Sequence, residues 1–201
     1  LSSSPNFEKI LKEKNIGENF EKLITAILYK YLKEKLIVVR ASKYDDAKNN
    51  VDHILLDPTT RNIIGTLDTI AATEGKRFEE KKKKTLERNI YEDGAFLKYG
   101  VSYKRKGDQI YPVLGRVKNI PIFFLPLNPK WVEIGINAFT PEKNPTEEKI
   151  FFYTIDLLKK EILWIKNFIK QQRYPSLNPI VEERIDLLEE FLNQEFPNPE
   201  E

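Results

Sequence analysis

Two aspartates stand where β-strands normally carry apolar residues. Asp52 is at the start of the segment Val51–Asp57, and Asp68 interrupts Ile63–Ile70 (IIGTLDTI). Burial penalises a carboxylate in such a setting unless something compensates it. Between the two segments, DPTTRN (Asp57 to Asn62) reads as a turn, because Pro presets the backbone angle and Asn tolerates tight bends. Strands joined this way run antiparallel, which sets the start of the first beside the end of the second. Asp52 and Asp68 are therefore expected at one edge of the sheet. Carboxylates held together on rigid strands repel unless a cation sits between them, and a hard divalent ion is the usual guest of such oxygens. The structural alternative makes Asp52 a strand cap and pairs Asp68 with a basic side chain such as Arg40.

Other polar residues are candidates of a weaker kind. Ser42 to Asn50 reads as a polar connection in which Asp45 and Asp46 form turns or, alternatively, support metal ligands from behind, and Lys43 lies just before the Asp52 strand. Lys76 to Tyr91 (KRFEEKKKKTLERNIY) reads as a charged helix with a thin apolar seam of Phe78, Leu86 and Ile90. Its run Lys81, Lys82, Lys83, Lys84 is either a solvated face or a phosphate-contacting surface. Glu18 and Glu21 fall in the first turn of an earlier helix, where acidic side chains suit the helix dipole. His53, the single histidine, points away from Asp52 by strand alternation and is expected to pack. No Ser-His-Asp arrangement, glycine-rich phosphate loop or zinc constellation is visible.

The elements that must position these residues follow from periodicity. An N-terminal tail, a short helix from Asn6 to Lys14 and a break at Asn15-Ile16-Gly17 come first. Phe20, Leu23, Ile24, Ile27, Leu28, Tyr31 and Leu32 then recur at helical spacing between Glu18 and Lys35. Leu36 to Ala41 is a β-branched strand. After the charged helix, Ala95 to Tyr103 is a strand, Lys104 to Asp108 a hairpin turn, and Ile110 to Leu114 a short edge strand. Ile120 to Leu127 (IPIFFLPL) is apolar, and its prolines suggest an edge. Asn128-Pro129 opens a helix as cap and first residue, and Phe139 to Pro145 is a linker. Beyond it, Phe151, Ile155, Leu158, Ile162, Ile165 and Ile169 form one seam of a helix over residues 146–172. After a turn from Tyr174 to Pro179, Val181, Ile185, Leu188 and Leu192 form a second seam. The expected organisation is an α/β core over residues 1–140 and a helical hairpin over 146–196, packed on the core or dimerising.

Composition narrows the function classes. With no Cys, disulfides, thiolate metal sites and cysteine nucleophiles are excluded. No run approaches the ~20 apolar residues of a membrane-spanning helix, and no secretory leader is evident, so no membrane partner and a cytoplasmic location are expected. A formal net charge of +2 does not by itself announce nucleic acid; the distribution of charge matters more.

The order helix, strand, strand, strand, helix, strand resembles the αβββαβ core of the PD-(D/E)XK, restriction-endonuclease-like nucleases. The nearest likeness is to Holliday-junction resolvases and to uncharacterised bacterial proteins with a Ser-Lys-Tyr-Asp-Asp segment. The residues that carry it are GENFEK (Gly17 to Lys22), VVRAS (Val38 to Ser42), VDHIL (Val51 to Leu55) and IIGTLDTI (Ile63 to Ile70). The resemblance covers about the first half of the chain. It implies an α+β fold with a mixed sheet, Mg²⁺ or Mn²⁺ as cofactor, DNA as substrate, and phosphodiester hydrolysis. It makes Asp52 and Asp68 the metal ligands and puts Glu21 where a helix-borne Glu assists the metal or its water.

One position departs from the family pattern: two residues after Asp68 stands Ile70, where those enzymes carry a lysine. Members of the superfamily sometimes relocate it to the next helix, where Lys76, Lys81 and Lys82 are available. Lys43 precedes Asp52. Basic residues Lys43 and Lys81 to Lys84 are the expected nucleic-acid contacts. Three readings follow: a DNA endonuclease, a non-catalytic protein of the same fold that binds nucleic acid or a protein partner, and an assembly protein built on the C-terminal hairpin.

Overall fold

The computed structural model describes residues 15–107, 109–172 and 177–197. The expected helix from Asn6 to Lys14 and most of the turn from Tyr174 lie outside them. Among the described residues the chain is mixed α/β, with six helices and a mixed four-stranded sheet. The elements in order are α1 (Ile16–Leu32), β1 (Ile37–Arg40), α2 (Lys43–Asn49), β2 (His53–Leu56), β3 (Ile63–Ile70), α3 (Lys76–Tyr91), β4 (Ala95–Lys106), β5 (Gln109–Ile120), β6 (Ile122–Pro126), α4 (Pro129–Ala138), α5 (Pro145–Gln172) and α6 (Pro179–Glu195).

The main sheet has the order β1-β2-β3-β6. β1, β2 and β3 form an antiparallel meander, and β6 joins β3 in parallel, Asp68 opposite Phe124. The prolines flanking β6 lie on an edge strand, where a missing N–H costs no ladder bond. β4 and β5 pair with each other as a separate two-stranded ribbon inserted between α3 and β6. Gly94 sets its base. The residue sits at φ +85°, and a Cβ there would run into the Ile120 carbonyl.

The sheet is covered on both faces. On one, Phe20, Leu23, Ile27 and Leu28 of α1 pack with Leu55, Leu67, Phe123 and the apolar seams of α5 and α6. The other holds Ile54, Leu56 and Ile122 against Ala95, Leu97 and Ile120 at the ribbon's base. The two C-terminal helices thus share the core of α1 and the sheet, and Phe151, Ile155, Leu158, Val181, Ile185 and Leu188 are all buried. The stretch expected to be a linker is tied down: Lys30 Nζ donates to the Thr140 carbonyl and to Glu147 Oε2, each at 2.5 Å, and Tyr31 donates to the Asn144 carbonyl. No helix among the described residues is long and apolar enough to cross a membrane.

Candidate active site

A short helix stands where the sequence reads as a polar connection. α2 begins at Ser42, whose hydroxyl accepts the Asp45 N–H at 3.0 Å and donates to Asp45 Oδ2 at 2.7 Å. Ser42 is thus the N-cap, satisfying one of the first turn's free N–H groups. Asn50, in the left-handed conformation at φ 48°, ends the helix. Asp45 is buried and acts as a clamp, also accepting the backbone N–H groups of Lys98 (2.8 Å) and Tyr99 (3.2 Å) and the Asn49 side chain. Burial alone would raise its pKa; the hydrogen bonds from Lys98, Ser42, Asn49 and Tyr99 outweigh burial and hold it below the usual aspartate range.

With Asp45 turned inward, its neighbour Asp46 faces a cleft of about 1140 Å³. Glu21, Asp52 and Asp68 also line it, together with Arg40, Lys43, Arg77, Lys81 and Lys84. Ligand oxygens of Glu21, Asp46 and Asp52 converge to within 4.8 Å of one another. This triad could hold a metal ion. Three carboxylates on three different elements form a hard oxygen set of the kind divalent cations take, and the carboxyls bear the mark of their crowding. Burial, then the Asp52 charge, pushes Glu21 up to about 7 even though its Oε2 pairs with Arg40 Nη2. Asp46 is raised by burial and by Asp52 in the same way.

Asp52, just ahead of β2, is fixed by the neighbouring strand β3. Its Oδ2 accepts the Thr69 N–H and the Thr69 hydroxyl, both at 2.6 Å. Its backbone N–H donates to the Leu67 carbonyl at 2.9 Å, and the β2–β3 register pairs His53 with Leu67. One more step of that register sets Asp52 beside Asp68. The expectation that both aspartates reach one rim is therefore met, but only Asp52 joins the converging set. Asp68 is held by Lys81 of α3, whose Nζ lies 2.5 Å from Asp68 Oδ1 and 2.5 Å from the Thr69 carbonyl. The Thr85 hydroxyl donates to Asp68 Oδ2 at 3.3 Å. Among the described residues Asp68 Oδ1 receives no directed hydrogen bond, so the Lys81 charge is what offsets its burial. Even so, burial lifts Asp68 to about 6. Arg40, the expected neutraliser of Asp68, pairs with Glu21 instead.

The remaining sequence candidates separate cleanly. Lys76 is exposed beside Glu80 at 3.7 Å and does not line the cleft. Lys82 turns to a second groove, its Nζ 5.9 Å above the Phe78 ring. Lys83 lines that groove too. Of the basic run, Lys81 and Lys84 reach the cleft because they are one helical step apart, and Lys43 reaches it from α2. His53 is fully buried; its Nε2 lies 2.9 Å from the Thr25 hydroxyl and 3.1 Å from the Glu21 carbonyl. Burial drops its pKa to about 4, so at neutral pH a neutral imidazole seats α1 on the sheet. Asp46, expected to form a turn or to support the metal ligands from behind, stands among the converging carboxylates themselves. The Ser42-x-x-Asp45 capping signature was its signal, since a helix starting there turns Asp45 and Asp46 to different sides.

No protein-family model matches the chain, and neither a curated protein nor a solved structure does.

Proposed function

We propose that this protein is a metal-dependent nuclease that hydrolyses phosphodiester bonds in DNA, of the restriction-endonuclease-like type, with Mg²⁺ or Mn²⁺ as cofactor. The observation that carries the reading is the convergence of Glu21, Asp46 and Asp52 within 4.8 Å on a cleft that Lys81 enters from α3. An antiparallel meander followed by a helix and a parallel fourth strand supports it further.

Glu21, Asp46 and Asp52 would hold the cation, with Asp68 adjacent. When bound, the ion supplies a low-pKa water and charge compensation for the scissile phosphate. The chain's own groups do the rest. Thr69 fixes the Asp52 carboxylate in one orientation through two hydrogen bonds. Lys81, anchored on Asp68 and the Thr69 carbonyl, places an ammonium where it can orient water and donate to a phosphate oxygen. It takes the role that Ile70 cannot play. Arg40 holds the Glu21 carboxylate in the cluster through its Oε2. Arg40, Lys43, Arg77 and Lys84 on the cleft wall offer contacts for flanking phosphates.

The test is cleavage of plasmid, single-stranded and branched DNA in Mg²⁺ or Mn²⁺ by the wild type and by Asp52→Asn. That substitution keeps an oxygen for Thr69 while removing a ligand charge. Cleavage confined to the wild type is the expected result; equal cleavage by both overturns the reading. A second reading, a non-catalytic protein that binds DNA through the same cleft, is favoured by the ion pair that already occupies Asp68. It predicts binding without hydrolysis in any metal.

A further inference from the structure

The β4–β5 ribbon carries a charge unlike the rest of the chain. Residues 95–120 hold Lys98, Lys104, Arg105, Lys106, Arg116 and Lys118 against one acid, Asp108. The whole chain is only +2, so the remainder is net acidic. The strands stay paired from Ala95 opposite Ile120 out to Lys106 opposite Gln109. Each is twelve residues long, about 40 Å at the usual rise per residue. At the ribbon's base Ala95, Leu97 and Ile120 join the core. Further out, Tyr99, Tyr111 and Leu114 are exposed, Leu114 at 79%.

The base of this arm is fixed to the cleft wall. Asp45 holds the Lys98 and Tyr99 backbone against α2, the helix whose Lys43 and Asp46 line the cleft. Lys98 Nζ lies 4.3 Å above the Tyr44 ring, and Tyr44 meets Tyr99 edge-on at 5.7 Å. Lys98, Tyr44 and Tyr99 therefore cluster where the ribbon's base meets α2, the helix whose Lys43 lines the cleft. A polyanion lying in the cleft would continue along the ribbon. A major groove about 12 Å wide admits a two-stranded β-ribbon, and a segment with six basic residues against one acid suits a polyanion.

We infer that the β4–β5 ribbon is a DNA-binding arm that grips the duplex beside the cleft. The inference deepens the nuclease reading and rests on it for the placement of substrate. A bland alternative is that basic residues keep the ribbon's edges from pairing with other chains; it predicts poorer solubility and unchanged DNA binding.

The experiment compares wild type with the triple variant Lys104→Gln, Arg105→Gln, Lys106→Gln, and with Arg116→Gln, Lys118→Gln on the other strand. Binding of a fluorescent duplex and of a single strand is followed by anisotropy across a salt series in Ca²⁺. Mn²⁺ titrations and thermal melts check the cleft and the fold. The expected result is a loss of duplex affinity of about tenfold or more in the triple variant, with the slope of log affinity against log salt shallower by roughly two to three. Mn²⁺ binding and melting should stay unchanged. Duplex affinity and slope equal to wild type in both variants overturn the inference, as does a loss seen only with the single strand. Ribbon-dependent duplex binding without cleavage in Mg²⁺ or Mn²⁺ overturns the nuclease reading and leaves the arm standing.

Discussion

Lys81 Nζ and Asp68 Oδ1 lie 2.5 Å apart across the junction of α3 and β3. The carboxylate is buried and the ammonium mostly so. Removing one partner of such a pair leaves a charge without compensation. Lys81→Met is expected to cost about 3 kcal/mol of stability, read by urea denaturation, and, on the proposed nuclease function, to abolish metal-dependent cleavage. Ile70 also lines the cleft. Adding Ile70→Lys to Lys81→Met should therefore restore measurable cleavage by supplying an ammonium from β3. A double variant as inactive as the single would show that the ammonium's origin on α3 matters.

Glu161 offers a pH dependence away from the cleft. It sits in the second groove between α3 and α5, and its Oε2 accepts the Phe124 N–H at 2.7 Å. Burial raises its carboxyl to about 8 from 4.5. Its protonated form is thus favoured by folding: the folded state binds more protons than the unfolded one between those values. Its contribution to stability is fully present below about 4.5 and is lost as pH rises to about 8. Glu161→Gln, which keeps an acceptor for Phe124, should match wild type in acid. In mild alkali it should be the more stable of the two, by an amount on the order of a few kcal/mol. Thermal melts of both proteins across that range check this.

Asp45 should behave in the opposite sense. Asp45→Ala frees two backbone N–H groups on β4 and is expected to destabilise by about 3 kcal/mol. Because its pKa is depressed, its contribution exists above the usual aspartate range and disappears as acid protonates the folded form. The gap between wild type and Asp45→Ala in denaturant midpoint should therefore narrow as pH falls below that range.

How much of this could be read beforehand depended on where each signal lay. β3 and α3 match the expected spans because their patterns are unbroken, and Asn128-Pro129 opens α4 as its capping chemistry requires. The two-aspartate rim followed from antiparallel pairing alone. α2 was hidden because its seven residues, with only Tyr44 and Ala47 not strongly polar, show no apolar period, and only the Ser42 cap betrays it. Choosing Lys81 over Lys76 and Lys82 needed the rotation of α3 about its axis, which a thin seam of Phe78, Leu86 and Ile90 does not fix. The ribbon was read as two shorter strands because Gly100, Pro112 and Gly115 interrupt the alternation that marks a strand.

The C-terminal hairpin tests the shared core. Leu188 of α6 is fully buried in the same apolar cluster as Phe20 and Leu67. Leu188→Ala is expected to cost about 3 kcal/mol and to lower one cooperative transition for the whole molecule. Two separate transitions in calorimetry would mean that the hairpin folds by itself.

The pinning of Thr140 and Glu147 onto Lys30, with Val181 and Leu188 seated behind the sheet, bears on biosynthesis. During translation the cleft residues emerge long before the helices that cover the back of their scaffold. A nascent chain bearing Glu21, Asp46 and Asp52 therefore presents an oily surface to chaperones until α5 and α6 arrive.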